Sequence, residues 1–183
     1  TSPAHTKFYT LSLHDSLPIL VVVQSHLPDQ WCDKIEEFTS LSSHAVKITK
    51  PYTLLRKDIV VVKYTNIAKW IDVLGDYGFK TMVLDEVQEV RRIESQKHEA
   101  CKALADRMEY VLGLSGTPIV NYGNETYNLF TVIDPSIFPN KEEFNREWLS
   151  GERMVNDPQA LGAYLQERCS YIRRTKADVN YDG

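Results

Sequence analysis

The chain has 183 residues, 43% of them hydrophobic and 25% charged, with a formal net charge of −4. That length suits one domain with a core needing no disulfides, and the charge excludes a uniformly basic nucleic-acid binder. A local basic track stays open, because phosphate contacts depend on where charge sits.

Cys32, Cys101 and Cys169 are far apart, odd in number and form no C-x-x-C. Neither a disulfide framework nor a zinc site is expected, and a reducing compartment is: the cytoplasm, or the nucleus in a eukaryote. No apolar run approaches the roughly 18 residues that span a bilayer, so no membrane partner is expected.

The first residues read differently from the rest. They carry no sustained helical or strand period, and Thr10 to Ile19 reads TLSLHDSLPI, which resembles a translation frame of a common sequencing-library adapter. Residues 1–19 therefore read as a non-native or disordered leader, with a native N-terminal arm as the other reading. From Ile19 strands and helices alternate. Ile19 to Val23 is a continuous β-branched run, the pattern of a strand covered on both faces. Pro28 opens a helix through Phe38, with Trp31, Ile35 and Phe38 on one face. Asp58 to Val62 is a second strand. A helix from about Asn66 carries Ile67, Trp70, Ile71 and Leu74, with Gly75 and Gly78 after it. Thr81 to Leu84 is a third strand ending at Asp85-Glu86. A helix from Gln96 to Met108 follows, then a fourth strand from Tyr110 to Leu114 ending at Ser115-Gly116-Thr117-Pro118. The rest reads mostly helical from Asn124, broken by Pro135, Pro139 and Pro158.

This alternation predicts crossover units and a parallel sheet. Ligands of such sheets bind at the carboxyl ends of the strands, where both polar motifs fall. A buried strand ending in Asp85-Glu86 delivers two carboxylates. One suits Mg²⁺, usually held through water, and its neighbour suits orienting or deprotonating a water. Taken alone, the pair reads equally as a solvated acidic loop. In the other motif Gly116 permits a tight turn and Pro118 rigidifies the exit, while the Ser115 and Thr117 hydroxyls can bridge to another element. Taken alone, it reads as a plain strand-to-helix turn.

Together the motifs say more. Asp85-Glu86-Val87-Gln88 followed by Ser115-Gly116-Thr117-Pro118 resembles motifs two and three of superfamily-two helicases. Val22 to Trp31 resembles the Swi/Snf-type motif one-a. Ile59 to Tyr64 resembles the strand ending in a Thr-Tyr pair, with Lys63 in place of Thr. Pro118 to Asn121, Leu129-Phe130 and Asp134-Pro135 resemble the stretch after S-G-T-P. Tyr171 to Val179 resembles the family's L-R-R-T-K-x-D-V signature. Gln88 stands where many relatives carry His.

The resemblance implies an α/β fold of RecA-like type, a parallel sheet with helices on both faces and a mostly helical C-terminal stretch. It implies a partial first motor lobe at 20–135 and a helical extension at 136–183. The implied activity is ATP hydrolysis with Mg²⁺, coupled to movement on duplex DNA gripped through its phosphate backbone. Asp85 and Glu86 would be catalytic, Asp85 on Mg²⁺ and Glu86 on the water. Gln88, Ser115, Gly116 and Thr117 would link ATP state to DNA grip. Ser25, His26, Tyr64, Arg173 and Arg174 would lie toward DNA. The family's G-x-G-K-T phosphate loop has no counterpart in this sequence, nor does the second RecA-like lobe with its arginine fingers. This chain alone is therefore expected not to hydrolyse ATP. Another superfamily-two motor, of restriction-translocase or RNA-helicase type, and a non-catalytic α/β binding module are the alternatives.

The five histidines, His5, His14, His26, His44 and His98, show no metal-ligand spacing. Trp31, Trp70 and Trp148 read as packing residues. Arg91, Arg92 and Lys97 read as a solvated helix face or part of a DNA track.

Overall fold

The computed structural model describes residues 15–116, 123–151 and 154–168. Its centre is a five-stranded sheet built from β1 (Ile19–Val23), β2 (Ser43–Val46), β3 (Ile59–Lys63), β4 (Thr81–Asp85) and β5 (Tyr110–Leu114), in the order β2-β3-β1-β4-β5. Every neighbouring pair is parallel. The β-branched run of β1 takes the middle because both of its faces can be buried. Leu20 and Val22 join Val60, Val62, Met82 and Leu84 on one face, and Val21 and Val23 join Ile59 and Val61 on the other.

Helices cover the two faces. α1 (Pro28–Phe38) starts with proline in its first turn and packs Ile35 on the Val21–Val23 side. On the opposite side a 3-10 turn, Ile67–Trp70, runs into α2 (Ile71–Gly75), where the sequence predicts one longer helix. α3 (Gln96–Ala105) is capped by Ser95, whose hydroxyl accepts from the His98 amide. It stops short of the expected Met108, because Arg107 and Met108 form the turn that feeds β5. Trp70 and Leu104 are fully buried on this side.

β2 was not anticipated. Ser-His-Ala-Val is short and half polar, and it becomes a strand by pairing with β3 at the sheet edge. At the other end the expected leader reaches into the fold. The Ser16 carbonyl accepts from Thr81 Oγ1 at 2.9 Å, and the Pro18 carbonyl accepts from the Lys80 amide at 3.0 Å. Ser16 is buried and Ile19 opens β1, so Asp15 to Ile19 pack against the start of β4. Residues 1–14 lie outside the described residues.

The described part of the C-terminal stretch holds α4 (Gly123–Ile133), α5 (Lys141–Trp148) and α6 (Pro158–Glu167), plus a small antiparallel pair, β6 (Leu149–Ser150) and β7 (Met154–Val155). Asn140 and Asp157 cap α5 and α6 with side-chain oxygens that accept two backbone amides each. Phe130, Phe138, Phe144, Leu161 and Leu165 form a second core. α4 serves both cores, sending Leu129 and Val132 to the sheet and Phe130 to the helices.

Among the described residues, one half-face of the sheet is left uncovered. Strand alternation puts Leu112 and Leu114 on the same side as Val83 and Asp85. Leu112 and Leu114 are 51% and 43% exposed, bordering a cleft of about 1840 Å³ between β5 and the helices α4 and α6. No helix among the described residues is long and apolar enough to cross a membrane.

Candidate functional site

The site lies at the carboxyl ends of β1, β3, β4 and β5, which parallel pairing brings level. β4 ends at Asp85, in register with Leu114 at the end of β5. Glu86 then adopts φ 50 and ψ 59, a left-handed conformation in a residue that is not glycine. Such a residue costs about 1–3 kcal/mol and persists only where its surroundings require it. Here a strand gives way abruptly to the 3-10 turn Val87–Val90, whose Val87 and Val90 enter the core. The reversal at Glu86 sends the two adjacent carboxylates to different partners.

Asp85 is half-buried. Its Oδ2 accepts from Trp31 Nε1 at 3.1 Å, and its backbone carbonyl accepts from the Tyr64 hydroxyl at 2.9 Å. Glu86 Oε2 accepts from Gln88 Nε2 at 2.6 Å. The other end of the same amide, Gln88 Oε1, accepts from Ser115 Oγ at 2.7 Å. A side-chain relay thus runs from Glu86 through Gln88 to Ser115, joining the end of β4 to the end of β5. Glu89, next along, accepts from Gln24 Nε2 at 3.5 Å and pairs with Lys97 Nζ at 2.6 Å.

Four of the sequence-derived candidates converge here. Asp85, Glu86, Gln88 and Ser115 form one cluster. Ser25 and His26 sit on the exposed loop after β1, where Ser25 Oγ meets Thr65 Oγ1 at 3.4 Å. Gly116 is exposed, and a Cβ there would meet no described atom within 4 Å, so neither close contact nor a left-handed backbone requires glycine. Thr117, Arg173 and Arg174 lie outside the described residues.

Tyr64 departs from its expected place toward DNA. Its side chain is 3% exposed, directed into the sheet core beneath Asp85. Burial pushes its phenol far above the usual range, so the hydroxyl stays protonated and acts as a donor. Arg91 also turns inward. Its Nε lies 3.3 Å from Glu125 Oε1 on α4, and its carbonyl accepts from Asn128 Nδ2 at 2.8 Å. Lys97 is tied to Glu89. His98 is buried, with Nδ1 2.7 Å from the Val90 carbonyl. Sequence reading missed Trp31 as a site residue because its indole reaches Asp85 across 54 positions. Its only signal was its place in the motif one-a resemblance.

Among the described residues no group of three or more His, Cys, Asp or Glu is placed to hold a metal ion. The donor set instead suits a hydrated cation. Asp85 has one oxygen occupied by an indole N–H and one with no hydrogen-bond partner among the described residues. Mg²⁺ keeps several waters and takes one or two carboxylates, which matches this set.

Comparison with known proteins bears on the family and the fold. The model of the SNF2-related domain matches residues 4–182, beginning inside the segment read as a leader. The chain is 26% identical over 176 residues to an uncharacterized ATP-dependent helicase of Mycoplasma pneumoniae, covering 92% of this chain and 16% of that protein. It is 30% identical over 158 residues to the chromatin-remodeling ATPase INO80 of Drosophila melanogaster, covering 82% of this chain and 9% of that protein. In fold it resembles the SWI2/SNF2 ATPase core of Sulfolobus solfataricus solved in complex with double-stranded DNA. The TM-score is 0.72 and the identity 23%, over 89% of this chain and 35% of that one. The chain thus spans less than a fifth of these curated relatives.

Proposed function

The chain belongs to the SNF2-related family, and from that premise we propose that its strand ends form the hydrolytic part of a DNA-dependent ATPase motor. The observation that carries this reading is the Glu86–Gln88–Ser115 relay beside the half-buried Asp85. A solvated acidic loop needs no such tie between two strand ends.

In this reading Asp85 would help hold a hydrated Mg²⁺ with the oxygen that Trp31 leaves open, and the cation would neutralise charge on the phosphates. Bound ATP supplies the phosphoanhydride to be cleaved. Glu86 orients the attacking water and takes its proton, held at the right angle by the Gln88 amide. Ser115 reports the state of that amide to β5 and to Thr117 beyond it. Ser25 and His26, with Thr65 beside them, meet the phosphate backbone of duplex DNA, so binding is not sequence-specific. Arg173 and Arg174 belong to the same proposal through the family signature, at the junction with a second RecA-like lobe. Tyr64 supports Asp85 from below and does not touch DNA.

Glu86→Gln in the full-length protein tests this. Glutamine keeps size and hydrogen bonding but cannot accept the water's proton. ATP turnover with saturating duplex DNA should fall by about 10²–10⁴, the range for loss of a general base, while nucleotide still binds. Turnover within about threefold of wild type, far short of that range, would sink the assignment.

A further inference from the structure

We propose that Trp31 and Tyr64 are positioning residues that clamp Asp85 and tie its carboxylate to the exposed loop Gln24–Leu27. This deepens the reading above, because it takes Asp85 as the Mg²⁺ carboxylate. Asp85 needs such a clamp. Pairing of β4 with β1 ends at Leu84, and the left-handed Glu86 follows at once, so the sheet holds Asp85 only through β5. Two donors from other elements supply the rest. The Trp31 indole on α1 fixes one carboxylate oxygen, and the Tyr64 phenol after β3 fixes the backbone carbonyl. The indole N–H can only donate, and the Tyr64 hydroxyl donates to the Asp85 carbonyl.

Both donors hang from loops that meet at the surface. Trp31 sits in the first turn of α1, its amide bonded to the Leu27 carbonyl, and Leu27 in turn bonds to Gln24. The Tyr64 amide bonds to the Val23 carbonyl, and the next residue, Thr65, faces Ser25 across 3.4 Å in the exposed hydroxyl pair. An anionic backbone that draws Ser25 and Thr65 together therefore shifts both donors at once. The clamp converts contact at the loop into a change in carboxylate orientation, with no covalent step.

Trp31→Phe keeps an aromatic ring but removes the N–H together with part of the bicyclic indole. In the full-length protein, the free Mg²⁺ giving half-maximal nucleotide affinity should rise by about tenfold, as expected for loss of one hydrogen bond to a charged group. A packing role would lower the thermal midpoint but leave that Mg²⁺ value unmoved. Tyr64→Phe keeps the buried ring and should raise the same value. A second readout is independent of turnover. The Trp31 indole ¹H–¹⁵N resonance, assigned by its loss in Trp31→Phe, should shift when Asp85→Asn is introduced and when duplex DNA is added. An unmoved Mg²⁺ value in either Phe variant overturns the clamp, as does an indole signal indifferent to Asp85→Asn. Full turnover in Glu86→Gln would instead overturn the hydrolase reading, so the two failures are distinguishable.

Discussion

Ser115 donates to Gln88 across 2.7 Å, joining the end of β5 to the turn after β4. Glu86 Oε2 accepts from the Gln88 amide nitrogen at 2.6 Å, which leaves the amide oxygen facing Ser115.

Ser115→Ala should let that amide rotate. Turnover should drop by about tenfold, the cost of one hydrogen bond to or through a charged group, with little loss of nucleotide affinity. Gln88→Glu should be worse, since it sets a second carboxylate against Glu86. Steady-state ATPase assays with saturating DNA, read beside nucleotide titrations, check both. Equal turnover in wild type and Ser115→Ala would mean the relay is incidental.

Glu86 holds backbone strain at the end of β4. Glycine pays no Cβ penalty in the left-handed region, so Glu86→Gly should raise stability by about 1 kcal/mol while eliminating turnover. A urea unfolding curve measures this. A lower midpoint in the glycine variant would show that the Glu86 side chain contributes more than its backbone costs.

Arg91 and Glu125 tie the turn after β4 to α4. Their side chains are 26% and 11% exposed, so the pair is partly desolvated. Glu125→Ala leaves the guanidinium half-buried without its carboxylate and should cost about 1–3 kcal/mol. Arg91→Ala should cost a similar amount, and the double variant less than the sum of the two. Full additivity in urea denaturation would argue against a direct interaction.

Asp15 to Pro18 brace the start of β4 through Thr81 and Lys80. Moving the start of the chain from Asp15 to Leu20 should therefore cost more than about 1 kcal/mol, a typical single-site effect. Thr81→Val removes one of these bonds and should account for part of the loss. Identical urea midpoints for the two starting points would restore the reading of this segment as a passive leader.

Much of this protein was written locally. The apolar β-branched runs at Ile19–Val23 and Ile59–Val62 announce buried strands, because only a sheet covered on both faces accommodates them. Pro28 announces the start of α1, and Asp85-Glu86 and Ser115 fall at strand ends, where parallel sheets present their chemistry. Tertiary structure decided the rest. Ser43–Val46 has no strand signal of its own and pairs only because β3 offers an edge. Residues Asp15 to Pro18 lack periodicity, yet Thr81 and Lys80 give their carbonyls partners. Tyr64 looks like a surface residue beside Lys63, but strand alternation turns it inward, under Asp85. Trp31 looks like packing, but the central place of β1 swings its helix past the end of β4. A strand or cap depends on neighbours a few positions away, so the sequence carries it. A hydrogen bond between Trp31 and Asp85 depends on strand order, which is settled only when the whole sheet assembles.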